Sequence, residues 1–329
     1  MQSPKIHFLN VRKGDCFLLE RSSGRLTMID ICAGNLEDSE LSEGILKDSS
    51  VTKPKGNFQM CAVPTNPIGY LKSKGFDSIW RFILTHPDMD HMEGIKNLFE
   101  QIRVSVFWDC GIRRKKPDFP QNGPYREDDW DFYERLINNN VTDTKVISPR
   151  AGDNGMYWNA DNEAGDGEGD YLSILSPSNA LVKLANDTGD INDASYVIIY
   201  RSSAGKIIFA GDSNDNTWKY ILENHENLVT NTAILFAPHH GRKSDRDYSF
   251  LDVVKPRISF FGCAESDNLA YSAWDYRKRL FFTNNQCGNV HAYPEEKKVR
   301  IYIENRNFAE KYTKSNTREK DGYWFLCEV

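Results

Sequence analysis

Residues 83–95 read ILTHPDMDHMEGI: an apolar run, then two histidines and two aspartates within six residues, then a segment with apolar spacing of helical period. Crowding Asp88 and Asp90 into one turn beside His86 and His91 brings like charges together, and a cation between them removes that cost. The run before the turn has the length and composition of a buried strand. Met92, Ile95, Leu98, Phe99 and Ile102 then recur at helical spacing, so the turn is expected to open a helix at Asp90 and His91. Two other strand patterns, KIIFAGD and TAILFAPHH, also end in side chains able to hold a metal, Asp212 and the pair His239 and His240. A rigid sheet positions ligands well where its strands stop. Any one of these ends alone has a structural explanation, and their coincidence is what points to a metal site.

The 329 residues, 40% hydrophobic and 12% aromatic, are enough for one large α/β domain with a substantial core. A net charge of −6 excludes the broad basic face of a non-specific duplex binder. It leaves room for a local basic groove, with candidates at 112–117, 241–246, 276–280 and 297–300 that are otherwise solvated faces. No signal-peptide pattern and no apolar run of membrane-spanning length occurs, so no membrane partner is expected. Seven scattered cysteines without a C-x-x-C pair read as reduced thiols of a cytoplasmic protein.

Outward from the central stretch, KIHFLNV, CFLLE and RLTMIDICAG read as opening strands joined by KGD and SSG turns. Residues of about 35–66, with a short helix near SELSEGILKD, and about 111–130 read as insertions; YWFLCEV closes a C-terminal extension of about 307–329. NPIGYLKSKGF reads as a helix stopped by Gly75, and DDWDFYERLINN as another. Asp161, Glu163, Asp166, Glu168 and Asp170 do not have EF-hand spacing and read as a solvated hairpin tip. His7 and His225 read as structural, and His291 as an exposed strand residue or one facing the site. Ser213 lacks a nucleophile elbow.

H-x-D-x-D-H, then G-D after a hairpin, then H-H-G resembles the metallo-β-lactamase superfamily, and within it the branch typified by the C-terminal domain of the competence protein ComEC. FLNVRKGDCFLLE with MIDICAG, INDASYVIIY and TNNQCGNVHAY extend the resemblance from about residue 4 to residue 303. It implies a single α/β domain over 1–329 built as a four-layer αβ/βα sandwich, with two divalent metal ions, zinc or manganese, at one edge. Carried over, His86 and Asp88 bind one ion, Asp90 and His91 the other, and Asp212 bridges them. His239 or His240 completes the shell, and Asp30 anchors it from beneath. The loop before the G-D hairpin offers Asn192, Asp193 and Ser195 where many members have histidine, and this oxygen-rich shell tilts the choice toward manganese.

The implied function is a metal-dependent hydrolase in which a hydroxide held by both ions attacks a phosphodiester of nucleic acid or a nucleotide, with Asp90 orienting the nucleophile. A G-H-P motif usual in the ComEC-like branch is missing, and its role is either lost or passes to Tyr271 or Lys243. Basic residues around Arg113, Lys243 and Arg277 are expected to line the approach, and Trp130, Tyr157, Trp158 and Trp274 either to stack bases or, for most of them, to fill the core. The alternatives are hydrolysis of a small ester, lactone or phosphorylcholine-type substrate, and a non-catalytic metal-binding interaction module.

Overall fold

A computed structural model describes residues 4–36, 58–121, 123–159, 169–244, 246–264 and 266–329. The helix expected near 39–48 and the acidic residues 161–168 lie outside the described residues.

The first sheet takes its strands from both ends of the chain. β1 (Lys5–Phe8), β2 (Phe17–Glu20) and β3 (Thr27–Ile29) form an antiparallel meander, and β4 (Ser78–Ile83), β5 (Arg103–Trp108) and β6 (Lys145–Ile147) extend it in parallel. The second sheet holds β7 (Leu172–Ser176), β8 (Val197–Ser202), β9 (Gly205–Phe209), β10 (Thr232–Phe236), β11 (Ile258–Phe261) and β12 (Phe281–Thr283), parallel from β9 onward. β13 (Val290–Glu295), β14 (Lys298–Ile303), β15 (Glu319–Lys320) and β16 (Tyr323–Glu328) return to the first sheet beside β1, so YWFLCEV does close the chain as a strand.

Side chains alternate between two cores, as a pleated strand requires. Ile234 and Phe236 of β10 face the other sheet, where Phe236 meets Phe8 and Phe17 at centroid distances of 5.1 and 4.7 Å, while Leu235 faces outward. Parallel strands need crossovers, and these supply the outer layers. Helices α1 (Pro67–Ser73), α2 (Ile95–Gln101) and α3 (Glu127–Ile137) cover the first sheet through Leu71, Leu98 and Trp130. After α4 (Asn179–Thr188), α5 (Asp215–Val229), α6 (Phe250–Val254) and α7 (Tyr271–Tyr276) cover the second through Ile221, Leu251 and Trp274. The result is the expected four-layer αβ/βα sandwich. None of the described helices is long and apolar enough to cross a membrane.

Three expectations are corrected. The helix after the H-x-D-x-D-H turn starts at Ile95 rather than Asp90, because Met89–His91 forms a short 3-10 turn and Gly94, at φ 93°, breaks the path between them. Asp170 is no hairpin tip: it is buried and paired to Arg81 at 3.2 Å and Arg25 at 3.1 Å. Cys61 and Cys263 are disulfide-bonded, with Cα atoms 5.9 Å apart across a separation of 202 residues, while Cys16, Cys32, Cys110 and Cys287 are buried free thiols. Sequence spacing carries no sign of a pairing that only the folded topology creates. The expectation of a reducing compartment rested on seven free thiols, and the bond removes that ground.

Candidate metal centre

β3, β4, β9 and β10 all end at one edge, which is where an open α/β sheet presents its ligands. Asp30, just past β3 and at φ 56°, is buried under the turn that follows β4. Its Oδ1 accepts from the Thr85 amide and its Oδ2 from the Thr85 hydroxyl, each at 2.7 Å, and Oδ2 lies 2.7 Å from His91 Nδ1. The Tyr196 amide donates to the Thr85 carbonyl at 2.9 Å, joining the two halves of the sandwich at this point. The turn closes on itself through Asp88 N to His86 O and His91 N to Asp88 O, both 3.0 Å. The β1–β2 loop presses onto it so closely that a Cβ on Gly14 would stand 1.6 Å from the Asp90 carbonyl oxygen.

On the second sheet Gly211, at φ 49°, lets the chain pass Thr85; a Cβ there would meet Ser195 Oγ at 2.4 Å. The Asp212 amide donates to Ser195 Oγ at 3.0 Å, so the serine of the DINDASY loop positions the aspartate. His239 and His240 both take left-handed backbone angles, φ 52° and 57°. Such angles cost about 1–2 kcal/mol for a residue with a Cβ, and they persist here because His239 N bonds to Gly211 O at 2.9 Å and Gly262 N to His240 O at 3.0 Å.

The donors then sort around Asp212. Its Oδ1 lies 3.2 Å from His91 Nε2 and 3.6 Å from His240 Nε2, and Asp90 Oδ2 is 3.6 Å from the same His240 nitrogen. Its Oδ2 lies 3.8 Å from His86 Nε2 and 3.6 Å from His239 Nε2. His86, His91 and Asp212 bring donor atoms within 4.8 Å of one another, and so do Asp90, His91 and His240. Asp88 stands at the rim, Oδ2 3.7 Å from His86 Nε2 and Oδ1 paired with Arg114. A carboxylate whose two oxygens face two donor sets suits a pair of ions.

The fit to metal can be tested on the atoms themselves. Nε2 of His86, His91 and His240 and Oδ1 of Asp212 are buried without a hydrogen-bond partner. Such atoms are rarely left so. The opposite imidazole nitrogens have partners: Nδ1 of His86 lies 3.1 Å from Thr85 Oγ1 and Nδ1 of His91 2.7 Å from Asp30, while His240 Nδ1 is ion-paired with Asp15 Oδ1 at 3.0 Å. This outer hold is what orients metal-binding histidines. Burial alone would lower the His240 pKa, but Asp15 and Asp212 push it up to about 10, and His91 is likewise raised by Asp212 and Asp30 against burial. Burial would raise Asp212, yet His240 and His91 hold it well below the carboxylate range; Asp90 is held down by His240 and His91 in the same way. The cluster recruits positive charge, and the residues fit divalent cations.

Two cavities flank the centre. One, of about 1240 Å³, is lined by His239, Lys243, Tyr271, Arg12 and the Cys61–Cys263 bond; the other, of about 380 Å³, by Asp88, Asp90, Arg114 and Tyr125; Lys13 and Arg242 border both. Lys243 and Tyr271 thus lie beside the centre, with the Tyr271 ring clustered against Phe261 and Phe281, 6.1 and 5.5 Å away. Other expected residues are elsewhere. Arg113 pairs with Asp109 and Arg277 with Asp252, each at 2.8 Å. Trp130 and Trp274 are core residues, 1% and 0% exposed, and Tyr157 and Trp158 line neither cavity. His291 is buried against His7 and Tyr70, neither exposed nor at the site. Asn192 and Asp193 face α5, receiving Thr217 Oγ1 at their carbonyls, at 3.4 and 3.0 Å. Sequence reasoning missed Asp15, Arg12 and Lys13, which sit in RKGD, whose glycine and charge read as an ordinary turn, and held Arg246 only as part of the basic segment 241–246.

No family model matches the chain, and no curated protein does. Solved structures do. The metallo-beta-lactamase fold protein YhfI from Bacillus subtilis aligns over 85% of this chain and 96% of its own at 11% identity, with a TM-score of 0.47. Tm1679, a metal-dependent hydrolase of the beta-lactamase superfamily, aligns over 85% and 95% at 12% identity and 0.45. A diphosphatase from the PhnP family aligns over 80% and 87% at 10% identity and 0.40. Likeness this distant carries no chemistry across.

Proposed function

We propose that this chain is a metal-dependent hydrolase that cleaves phosphodiester bonds of nucleic acid or nucleotides, and that its sequence motifs place it with ComEC-like domains. The buried, partnerless donor atoms of His86, His91, His240 and Asp212, arranged around one two-faced carboxylate, support this more than any other observation. His86, Asp88 and Asp212 would hold one ion, and Asp90, His91, His240 and Asp212 the other. Divalent cations there supply a water of lowered pKa and shield the charge on phosphoryl oxygens. Three aspartates among the ligands favour manganese over zinc.

Around them the chain's own residues bind and orient. Asp90 accepts from the attacking water, Asp212 keeps the two halves of the centre in register, and Arg114 steadies Asp88 while adding positive charge at the rim. Lys243 and Tyr271, which line the larger cavity beside the centre, would meet the leaving group or its neighbouring phosphate. The cations Arg12, Lys13, Arg242 and Lys243 at the mouth favour an anionic substrate over a neutral ester or lactone.

The test is manganese-dependent turnover of bis(p-nitrophenyl) phosphate against nitrophenyl esters, with bound metal counted. Asp88→Ala is expected to abolish phosphodiester turnover while leaving the circular dichroism spectrum unchanged. Undiminished turnover in that variant sinks the site, and a preference for the esters sinks the substrate class.

A further inference from the structure

The larger cavity holds more than a metal centre requires. Four cationic side chains, Arg12, Lys13, Arg242 and Lys243, border it, and Asp275 is the one carboxylate among its described lining residues. Some cations elsewhere are paired with a carboxylate, as Arg114 is with Asp88, Lys116 with Glu127 and Arg277 with Asp252. Among the described residues none of the four makes an ion pair with a carboxylate. Gathering like charges without counter-charge costs stability, and it persists where an anionic ligand completes the set. The four come from two separate loops, Arg12 and Lys13 from the β1–β2 loop and Arg242 and Lys243 from the turn after β10, so no single local structure explains their meeting. Each loop also carries residues of the centre: Asp15 holds His240, and Arg242 follows His239 and His240.

Another part of the lining is aromatic. Tyr271 and Phe281, both half-buried, are nearly parallel, with rings 5.5 Å apart and inclined by 22°. At about 1240 Å³ the cavity exceeds the range of about 300–1,000 Å³ typical of small-ligand sites. It is too large for the single phosphate that the metal centre would grip.

We infer that Arg12, Lys13, Arg242 and Lys243 form a second phosphate subsite, which binds a phosphate group of the substrate other than the one at the metal centre. Resting on the phosphodiesterase proposed above, this makes the enzyme selective for substrates carrying two or more linked phosphates. The Tyr271 and Phe281 wall offers a flat face against which the planar group between the phosphates stacks, as aromatic platforms do in single-strand binding.

The experiment is binding of a labelled, hydrolysis-resistant phosphorothioate oligothymidylate to the full-length chain, followed by fluorescence anisotropy over a range of salt. For the Arg12→Glu/Lys243→Glu variant the affinity is expected to fall at least about tenfold. The slope of log K against log salt should shrink by about 1.4, at about 0.7 per phosphate contact on a single strand. Arg12→Gln/Lys243→Gln, less prone to disturb folding, should show a smaller loss in the same direction. Tripolyphosphate should compete in the wild type. Tyr271→Ala should weaken the oligonucleotide more than tripolyphosphate; equal weakening of both would show that the subsite takes phosphate chains without a base contact and would leave the four cations as its basis. Unchanged affinity and slope in both charge variants would overturn the subsite. Binding needs no turnover: an oligonucleotide bound through these residues but never hydrolysed would refute the phosphodiesterase and keep the subsite, while turnover with unaltered binding would do the reverse.

Discussion

His239 and His240 are neighbours with opposite chemistry. His240 is fully buried and its Nδ1 faces the Asp15 carboxylate, which can only accept; a proton therefore sits on Nδ1, and an ion would displace the proton on Nε2 to take its lone pair. His239 Nδ1 lies 2.8 Å from an Arg246 guanidinium nitrogen, which can only donate. Burial lowers the His239 pKa to about 4, against the pull of Asp212, so the ring is neutral and its single proton is on Nε2, pointing at Asp212. On this geometry we propose that His239 Nε2 acts as a hydrogen-bond donor rather than as a ligand. His240→Ala is expected to lose about one metal equivalent per chain, as loss of a direct ligand should, whereas His239→Ala keeps its metal and loses turnover. Plasma emission spectroscopy of both variants decides it, and equal metal loss in the two would refute the distinction. The sequence could not separate them. H-H-G puts both at a strand end, and which one coordinates is set by Asp15, more than 200 positions away, and by Arg246, whose basic segment reads as a solvated face. That His86, Asp90, His91 and Asp212 come together was legible, because motif and strand ends coincide.

At the scale of elements, what was legible followed hydrophobic period: β4 before the turn, α1 stopped at Gly75, and β16 at the C-terminus. What was not legible depends on neighbours, and the clearest case lies between β1, β13 and α1. There His7 Nδ1 is 2.8 Å from Tyr70 Oη, the same hydroxyl is 2.7 Å from His291 Nε2, and His7 Nε2 is 2.6 Å from Glu20. Each histidine alone reads as a lone strand residue, and only the β1–β13 pairing sets His7 opposite His291. Burial pulls His7 down to about 4, with Glu20 opposing and Lys5 and Lys74 assisting; His291 is lowered the same way by burial, His7 and the two lysines. An unfolded histidine titrates near 6.5. Between about pH 6.5 and 4 the unfolded chain therefore binds more protons than the folded one, and stability falls as pH falls. For His7 alone the loss between pH 7 and 5 is about 2 kcal/mol. Glu20, lowered by its bond to His7 against burial, adds to the same trend at more acidic pH. Urea midpoints at pH 7 and pH 5 should show the drop, and His7→Gln should reduce it. An equal drop in that variant would place the acid sensitivity elsewhere.

At the scale of the whole molecule, the centre exists because two half-sandwiches meet along one edge. His86, Asp90 and His91 come from the first, Asp212, His239 and His240 from the second, and Thr85 to Tyr196 is the backbone bond between them. Comparable halves were visible in the recurrence of strands and helices, but the meeting of distant loops was not, and the Cys61–Cys263 bond is its covalent case. Cys61 sits in a short turn whose amide bonds to Asn285 Oδ1 at 3.3 Å, and Cys263 follows β11; together they form part of the floor of the larger cavity. Closing a loop of 202 residues removes freedom from the unfolded chain, worth about 2–5 kcal/mol in practice. Because Cys16, Cys32, Cys110 and Cys287 are buried and Cys327 half-buried, thiol counting has to be done on denatured protein. Alkylation in guanidinium without reductant should modify five of the seven cysteines, and all seven after reduction. The reduced protein should unfold at lower denaturant, and Cys263→Ser should match it with no further loss on adding reductant. Seven modified thiols before reduction would show that the two sulfurs approach without bonding, and the cavity floor would then be held only by the hydrogen bonds of the 58–66 segment, such as Asn10 Nδ2 to the carbonyls of Met60 and Val63 at 2.7 and 3.0 Å.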